Sequence, residues 1–450
     1  MHPRSTGGTT DRKRPQLRRL GSHLAVLPVV AVTALATACG GSGGNQTQNT
    51  PTSEHPVTIT FANWADSEQA TRPGIEDMIT KFEAVHPEIK VKSEPISFTD
   101  IGHTMVLRVQ SGNPPDVAEL SGNDTFAVAA TGALANLDSY AGDLKSSFIP
   151  AEIAAGTYQN HLIALPWTVN PPGLWYNKQL MAGAGLDPNS PPKTRDELMT
   201  DLAAIKAKYP DVIPLGLDST NRDFSLTSNW SWMKSFGAQP FSGDKASANT
   251  GQMKDYLSWM RELAQKQYTS PGKKIGEFRP LAAQNKVAFV WDQPVLQGVV
   301  QSTNKETDDQ FYANWGVAAQ PTGTGGKSYS VELGHQLVAF NKSPNKQAAF
   351  TFMKWLATDP QAVTGYTVKY ESSLPPMANP SADIAKVIGT PTLQAFARDV
   401  MPTIVKPEFG PTYSEAYSPI MAGVQSVMTG STPVDSVAST IQSGLESAFK

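Results

Sequence analysis

The stretch Val57-Thr-Ile-Thr-Phe61, continued by Ala62-Asn-Trp64, begins the segment that decides the fold. Its first five residues are mostly β-branched and alternate between apolar and polar, which predicts a strand. A helix is predicted next, because apolar residues recur at helical spacing before Pro87: Ile75, Met78, Ile79, Phe82 and Val85. Ile89-Lys-Val91 is the next predicted strand. A strand, helix, strand order with short connections indicates a βαβ unit, a largely parallel sheet and the α/β fold class.

Similar elements continue along the chain. Pro115-Asp-Val117 predicts a strand followed by a helix through 126–130, and Thr194-Arg-Asp-Glu197 is a capping box that begins another helix. Further helices are predicted over 255–265, 346–357, 392–400, 414–428 and 434–449. Nearly 400 of the 450 residues follow Pro56, too many for one ordinary core. No low-complexity linker divides them, so we expect two domains between which the chain crosses more than once.

The N-terminus has the pattern of an exported, lipid-modified protein. Residues 1–20 carry six basic side chains against one acid, and Leu24 to Ala38 are apolar and uncharged. This pattern predicts a signal peptide over 1–38. Cys39, the only cysteine, ends a run of small residues that resembles a lipobox. We expect a lipid on Cys39, a flexible tether over 39–56, and a location at the extracytoplasmic face of the cell membrane.

Charge and composition argue against several classes of function. The net charge of −3 with scattered lysines argues against a nucleic-acid partner. The seven histidines show no paired metal spacing, so neither a metal site nor a cofactor is expected. Gly326-Lys-Ser328 is not a phosphate-binding loop, because Pro321 stands where its first glycine is required.

Several short motifs, in this order and spacing, resemble the family 1 extracellular solute-binding proteins, the maltose-binding-protein-like receptors of sugar ABC importers. They are Phe61-Ala-Asn-Trp64, Pro114-Pro-Asp-Val117, Gly132-Ala-Leu-Ala135, Leu165-Pro-Trp167, Trp175-Tyr-Asn-Lys178, Gly334-His-Gln-Leu-Val-Ala-Phe340 and Ala348-Ala-Phe-Thr-Phe-Met-Lys-Trp-Leu356. The resemblance covers essentially the whole chain after the tether.

The resemblance implies a two-lobed periplasmic-binding-protein-like fold with a ligand cleft between the lobes. Three crossings are expected near 166–172, 331–340 and 373–377, with lobe 1 formed by 57–165 and 337–372 and lobe 2 by 166–336 and 373–450. It also implies a monomer that is not an enzyme. Such a receptor binds a carbohydrate, expected to be a di- or oligosaccharide, outside the membrane and delivers it to ABC transporter permease subunits.

A sugar site needs aromatic platforms and planar polar side chains. On the lobe 1 side, the resemblance places candidates in loops after strands. They are Trp64, Asp66, Glu119, Asn123 and Asp124, with Asn170 in the first crossing. A core position is the alternative for Trp64, and a helix N-cap is the alternative for Asn123 or Asp124.

On the lobe 2 side, Trp230 is favoured as a platform, because helical spacing puts Trp232 on another face with Phe236. Trp291 and Asp292 end a strand at which the family carries a later tryptophan; Val295 stands at that position here, so the orientation of Trp291 stays open. Tyr417 matches a family stacking aromatic, with helix packing as the alternative.

Two other functions remain open at this point. A receptor for a non-sugar solute, such as glycerol phosphate or a peptide, needs basic residues near the cleft if the ligand carries phosphate, and Arg222 is the one such residue near the named loops. A glycoside hydrolase needs two suitably spaced carboxylates, which Asp66, Glu119, Asp124 and Asp292 could supply.

Overall fold

The computed structural model describes residues 48–69, 71–405 and 413–450. The predicted signal peptide and the predicted lipid site at Cys39 therefore lie outside the described residues. Among the described residues, no helix combines the length and apolar character needed to cross a bilayer.

Thirteen strands are found in the described part of the chain. They are β1 Val57–Asn63, β2 Ile89–Pro95, β3 Val117–Ser121, β4 Thr157–Tyr158, β5 His161–Leu162, β6 Ala164–Pro166, β7 Gly173–Asn177, β8 Ile213–Gly216, β9 Phe241–Ser242, β10 Lys245–Ala246, β11 Val287–Asp292, β12 Trp315–Ala318 and β13 His335–Ala339.

Eighteen α-helices surround these strands in the same part of the chain. They are α1 Arg72–Val85, α2 Ile101–Gln110, α3 Gly122–Ala130, α4 Asp138–Ala141, α5 Pro150–Ala155, α6 Lys178–Gly183, α7 Arg195–Lys208, α8 Asp223–Ser235, α9 Gly251–Gln265, α10 Ile275–Ala283, α11 Val295–Asn304, α12 Asp308–Asn314, α13 Lys346–Thr358, α14 Pro360–Ala362, α15 Ala382–Val387, α16 Pro391–Ala395, α17 Tyr413–Thr429 and α18 Val434–Ala448. Short 3-10 turns cover Ala65–Ser67, Gly142–Ser147 and Met401–Thr403, and π-helical turns cover Val363–Val368 and Phe396–Val400.

The strands form two main sheets, and both are mixed. One has the order β2-β1-β3-β13-β6 and the other β12-β7-β11-β8. β1 is parallel to β2 and β3, whereas β13 is antiparallel to both its neighbours. In the second sheet only the β11 and β8 pair is parallel. The α/β class is confirmed but the largely parallel sheet was wrong, because strands that enter a sheet after a crossing run against their neighbours.

The predicted helices lie close to their observed bounds. In α1, Ile75, Met78 and Phe82 are buried as the spacing predicts, but Val85 is 57% exposed. It stands at the last position of the helix. The capping box of α7 is present, with Thr194 Oγ1 accepting from the Glu197 N–H.

Each main sheet has a hydrophobic cluster on both faces, and these clusters define the two lobes. On the first sheet, one cluster contains Phe61, Phe82 and Phe352 and the other contains Met105 and Leu120. On the second sheet, one cluster contains Trp232 and Trp259 and the other contains Trp175 and Phe278.

Three chain segments connect the sheets: 167–172 between β6 and β7, 319–334 between β12 and β13, and the stretch that follows the π-helical turn Val363–Val368. Backbone hydrogen bonds hold them together. Val169 and Leu374 exchange two such bonds, of 2.8 and 3.1 Å, and the Trp167 N–H donates to the His335 carbonyl at 3.0 Å. The three segments therefore form one joint between the lobes.

The end of the predicted tether contacts the first lobe. The Asn49 N–H donates to the Pro344 carbonyl at 2.8 Å, and Asn49 Nδ2 donates to Asn345 Oδ1 at 2.8 Å. The described end of the segment predicted as a flexible tether is thus hydrogen-bonded to loop groups of the first lobe, and the flexibility of 39–56 stays a prediction.

Candidate functional site

Three adjoining cavities lie between the two sheets, around the end of the second crossing. We call them the aromatic compartment (about 290 Å³, with Trp64, Phe98 and Phe224), the middle compartment (about 230 Å³, with Asp124, Phe224 and Tyr417) and the acidic compartment (about 500 Å³, with Glu152, Glu332 and Gln336). Residues of both lobes and of the crossings line each of them. A ligand in this cleft can therefore contact both lobes.

The lobe 1 side of the aromatic compartment consists of three rings, of which Trp64 meets the other two edge to face. Trp64 follows β1 and Phe98 follows β2, and their ring centroids are 6.0 Å apart at 83°. The ring of His335, the first residue of β13, lies 5.2 Å from that of Trp64. Aromatic rings in such a corner present both faces and edges to a ligand.

A buried carboxylate contacts the ring of His335 on the side away from the cavity. The Nδ1 of that ring lies 3.0 Å from Oε1 of Glu119, which is fully buried in β3, and 3.3 Å from Nε1 of Trp64. Neither carboxylate oxygen of Glu119 has another partner. The indole N–H of Trp64 donates to this same ring nitrogen of His335 and is therefore engaged within the protein, so Trp64 offers a ligand its ring. Burial lowers the pKa of His335, but the hydrogen bond and charge of Glu119 outweigh burial and raise it.

The lobe 2 side of the aromatic compartment carries two arginines, each paired with a buried aspartate. Arg279 donates from Nε and Nη2 to the two oxygens of Asp292, at 2.8 and 3.0 Å. Arg222 donates from Nη2 to Asp218 Oδ2 at 2.5 Å and from Nε to Thr220 Oγ1 at 2.9 Å. Bidentate pairing fixes a guanidinium in one orientation. Each arginine is thus a positioned donor whose charge is largely neutralised.

Other polar groups complete this compartment. Asn170, 5% exposed, accepts from Gln293 Nε2 through its carbonyl at 3.3 Å. Lys274 lies just before α10 and is exposed, and its amino group has no ion pair among the described residues. Glu371, in the third connection, accepts from Tyr366 Oη at 2.9 Å, and burial raises its pKa to about 7.

The middle compartment contains a direct side-chain hydrogen bond between the lobes. Asn123 Nδ2 in α3 donates to Thr227 Oγ1 in α8 at 3.2 Å. Ser121, not Asn123 or Asp124, caps α3 by accepting from the Asp124 N–H. Asp124 accepts from Ser121 Oγ at 2.8 Å, and burial raises its pKa to about 6. Tyr417 and Phe224 line the opposite side.

Five of the predicted site residues line these cavities: Trp64, Asn123, Asp124, Asn170 and Tyr417. Their contacts with a ligand stay a prediction. Among the described residues, no group of three or more His, Cys, Asp or Glu side chains could hold a metal ion.

The structure places the other predicted site residues elsewhere. Trp230 and Trp291 are each 1% exposed and pack in the lobe 2 core. α8 is packed against both α9 and α17, so helical spacing within it does not separate a cleft face from a core face. Asp292 and Glu119 lie one layer behind the cavity and contact Arg279 and His335. Asp66 is held outside by Ser93 and Arg72.

Sequence reasoning missed several residues that line the cavities: Phe98, Phe224, Arg279, Glu332, His335 and Glu371. Phe98 carried a usable signal, since it follows a predicted parallel strand as Trp64 does. Glu332 and His335 lie in or beside the predicted second crossing, a segment that by position must face the cleft.

Sequence comparison finds similarity to known binding proteins. A Streptomyces coelicolor diacetylchitobiose binding protein, DasA, is 28% identical over 198 residues, which are 44% of this chain and 45% of that protein's length. The match thus spans less than half of that relative.

Solved structures agree over most of the chain. A Thermotoga lettingae ABC transporter solute binding protein with bound α-D-tagatose superimposes with a TM-score of 0.74 at 22% identity, covering 87% of this chain and 100% of that one. A cyclic α-maltosyl-1,6-maltose binding protein from Arthrobacter globiformis gives 0.72 at 21% identity, covering 88% and 99%. These likenesses confirm the two-lobed fold.

The family model described as bacterial extracellular solute-binding protein matches residues 65–363, which is about two thirds of the chain. Its span includes the whole second main sheet, every strand of the first main sheet except β1, and the first two connections between the sheets. The chain therefore belongs to the bacterial extracellular solute-binding proteins, a family of binding proteins and not of enzymes.

Proposed function

We propose that this protein is the carbohydrate receptor of an ABC importer, which binds a sugar outside the cytoplasm and delivers it to the permease subunits. One observation carries the proposal. Trp64 and Phe98 of lobe 1 face a cavity whose other side holds Phe224, Gln293 and the positioned donors of Arg279. Aromatic rings suit the C–H faces of a sugar, and planar polar groups suit its hydroxyls.

The pairing of the charged side chains in the cleft argues against a phosphorylated ligand such as glycerol phosphate. Three basic side chains line the aromatic compartment, more than the sequence indicated. Two of them, Arg222 and Arg279, already pair with Asp218 and Asp292. Of these three, only the solvent-exposed Lys274 forms no ion pair with a described carboxylate, and one exposed amine is a weak site for phosphate.

Ligand binding closes the lobes in this proposal. A ligand favours the closed state only if it contacts both lobes better there. Trp64 from lobe 1 and Phe224 or Tyr417 from lobe 2 supply such contacts. The division into 57–165 with 337–372 and 166–336 with 373–450 is supported by β6 ending at Pro166 and by β13 belonging to the first sheet. The protein acts as a monomer.

Lipid attachment at Cys39 holds the receptor at the extracytoplasmic face of the membrane. The support is the run of small residues before the only cysteine. Cys39→Ala is expected to release the protein from membranes, as measured by cell fractionation. Unchanged membrane association of that variant rules the anchor out.

A thermal-shift screen against mono-, di- and oligosaccharides tests the function itself. A matching sugar stabilises the protein by roughly 3 to 4 kcal/mol at a hundred to a thousand times its dissociation constant. Small-angle scattering should show a smaller radius of gyration with that sugar. No shift with any sugar contradicts the proposal.

A further inference from the structure

The acidic compartment has carboxylates without counter-charges. It is shared by lobe 1 (Glu152, Tyr158), the second crossing (Glu332), the first sheet (Gln336) and lobe 2 (Thr227). It adjoins the middle compartment, since Gly122, Asn123, Glu332 and Gly334 line both. A ligand longer than one sugar unit can therefore extend from the aromatic rings into it.

Three buried acceptors in this compartment lack partners. Glu152 is 6% exposed and makes no side-chain hydrogen bond or ion pair with any described residue. Glu332 Oε1 accepts from the Asn170 and Gly334 N–H groups at 2.9 and 2.5 Å, whereas its Oε2 is buried and has no partner. Gln336 is 6% exposed, and its Oε1 has no partner either.

The compartment has no cation of its own to neutralise these carboxylates. Of its described lining residues only His335 can carry positive charge, and its Nδ1 is bonded to Glu119. Burying an unpaired carboxylate costs several kcal/mol, so such groups take up a proton or acquire a cation. Burial does raise the pKa of Glu152, to about 7, and burial together with the charge of Glu152 raises that of Glu332.

The shape of the cavity indicates what kind of cation it holds. Two carboxylates and an amide oxygen in a cavity of about 500 Å³ are few ligands for a bare metal ion, and no group of three or more His, Cys, Asp or Glu side chains that could hold one occurs among the described residues. The rings of Phe126 and Tyr158, with centroids 6.2 Å apart, form another side. Carboxylates beside aromatic rings suit an ammonium group, which has several N–H donors and an affinity for ring faces.

We propose that the acidic compartment binds a protonated primary amine, and that the carbohydrate ligand is an amino sugar with a free, unacetylated amino group placed near Glu152 and Glu332. The inference rests on the proposed carbohydrate function and names the substrate class within it. The hydroxyl of Thr227 and the amide of Asn123 supply neighbouring contacts for the sugar ring.

Calorimetric titration of the full chain at neutral pH tests this. The probes are the β-1,4-linked glucosamine disaccharide, its diacetylated form, and putrescine, which carries amines without a sugar. We expect the free amine disaccharide to bind about tenfold more tightly than the acetylated one, because charged hydrogen bonds are worth more than neutral ones. Glu152→Gln should abolish that preference, and Glu76→Gln, on the exposed side of α1, should keep it.

Each result has a separate meaning. If only putrescine binds, and Glu152→Gln removes its binding, the amine site stands and the carbohydrate function is wrong. If the acetylated disaccharide binds as well as or better than the free amine, the amino-sugar inference is wrong while the carbohydrate function stands. If neither amine probe gives a response that depends on Glu152, the amine site is ruled out.

Discussion

The charged side chains on the two sides of the cleft differ in whether they are paired within the protein. On the lobe 2 side, Arg222 and Arg279 are each bonded to a buried aspartate, so the charges cancel within the protein. On the side formed by lobe 1 and the crossings, Glu152 and Glu332 face a cavity in which the one described lining residue able to carry positive charge, His335, is paired with Glu119 instead. A count of the basic residues that line a cleft therefore does not predict whether the cleft binds anions. A basic residue that is paired with a buried carboxylate has no net charge to offer a ligand.

The largest expected effect comes from breaking a lobe 2 pair. Asp292→Asn leaves the Arg279 guanidinium without its counter-charge, and removal of one partner of a buried pair costs about 3 to 5 kcal/mol of unfolding free energy. Urea denaturation measures this. Asp309→Asn, on the exposed side of α12, is the matched control and should lie within about 0.5 kcal/mol of the wild type. Equal stability of the two variants contradicts the assignment of Arg279 and Asp292 as a buried pair.

The second prediction concerns how the buried carboxylates make the stability of the protein depend on pH. Glu152, Glu371 and Asp124 have pKa values raised to about 7, 7 and 6, and the pKa of His335 is also raised. The folded state therefore binds more protons than the unfolded state near neutrality. Its stability should rise as the pH falls from about 7.5 to about 5.5, by roughly 2 kcal/mol or more.

Denaturation of the ligand-free protein at several pH values measures this slope. Asp138, whose pKa is lowered mainly by its hydrogen bond with Lys145, is ionised in both states over this window and adds no opposing slope. Glu152→Gln should flatten the slope, while Glu76→Gln should not. A stability that increases with pH over this range contradicts the burial of these groups in the ligand-free protein.

Local patterns predicted the first part of the fold, whereas sheet pairing and side-chain direction needed the structure. The β1, α1, β2 unit was predicted from alternating residues in the strands and helical spacing in α1. Both patterns can be recognised within one short stretch of sequence. The antiparallel entry of β13 depends on a strand more than 200 residues away in sequence. Trp64 was predicted as a ligand contact because the family resemblance places such a residue in its loop and because Asn63 and Asp66 beside it are polar. Trp230 was predicted from helical spacing within α8 alone, whereas the packing of α9 and α17 around α8, which buries it, is set by distant residues.

The third prediction separates a cleft tryptophan from a core tryptophan. Trp64→Ala should weaken binding of the matching sugar by roughly 2 kcal/mol, about thirtyfold, since it removes one face of the aromatic compartment. Trp230→Ala should leave that affinity nearly unchanged but lower the unfolding free energy by about 3 to 5 kcal/mol, because its ring is buried against Phe241. Calorimetry measures the sugar affinity of both variants, and urea denaturation measures their unfolding free energy. A loss of affinity in Trp230→Ala alone reverses the assignment.

The smallest expected effect is the response to anions. Millimolar inorganic phosphate should not raise the melting temperature of the wild type, because Asp218 and Asp292 already neutralise the charges of both arginines, although some of their N–H groups stay available to a neutral ligand. In Asp292→Asn, Arg279 loses its charged partner, and phosphate should then stabilise the variant measurably by mass action. Sodium chloride at equal ionic strength is the control for screening. Stabilisation of the wild type by phosphate, with none gained in the variant, shows that the lobe 2 side holds an anion site of its own, and the contrast between the two sides of the cleft is then wrong.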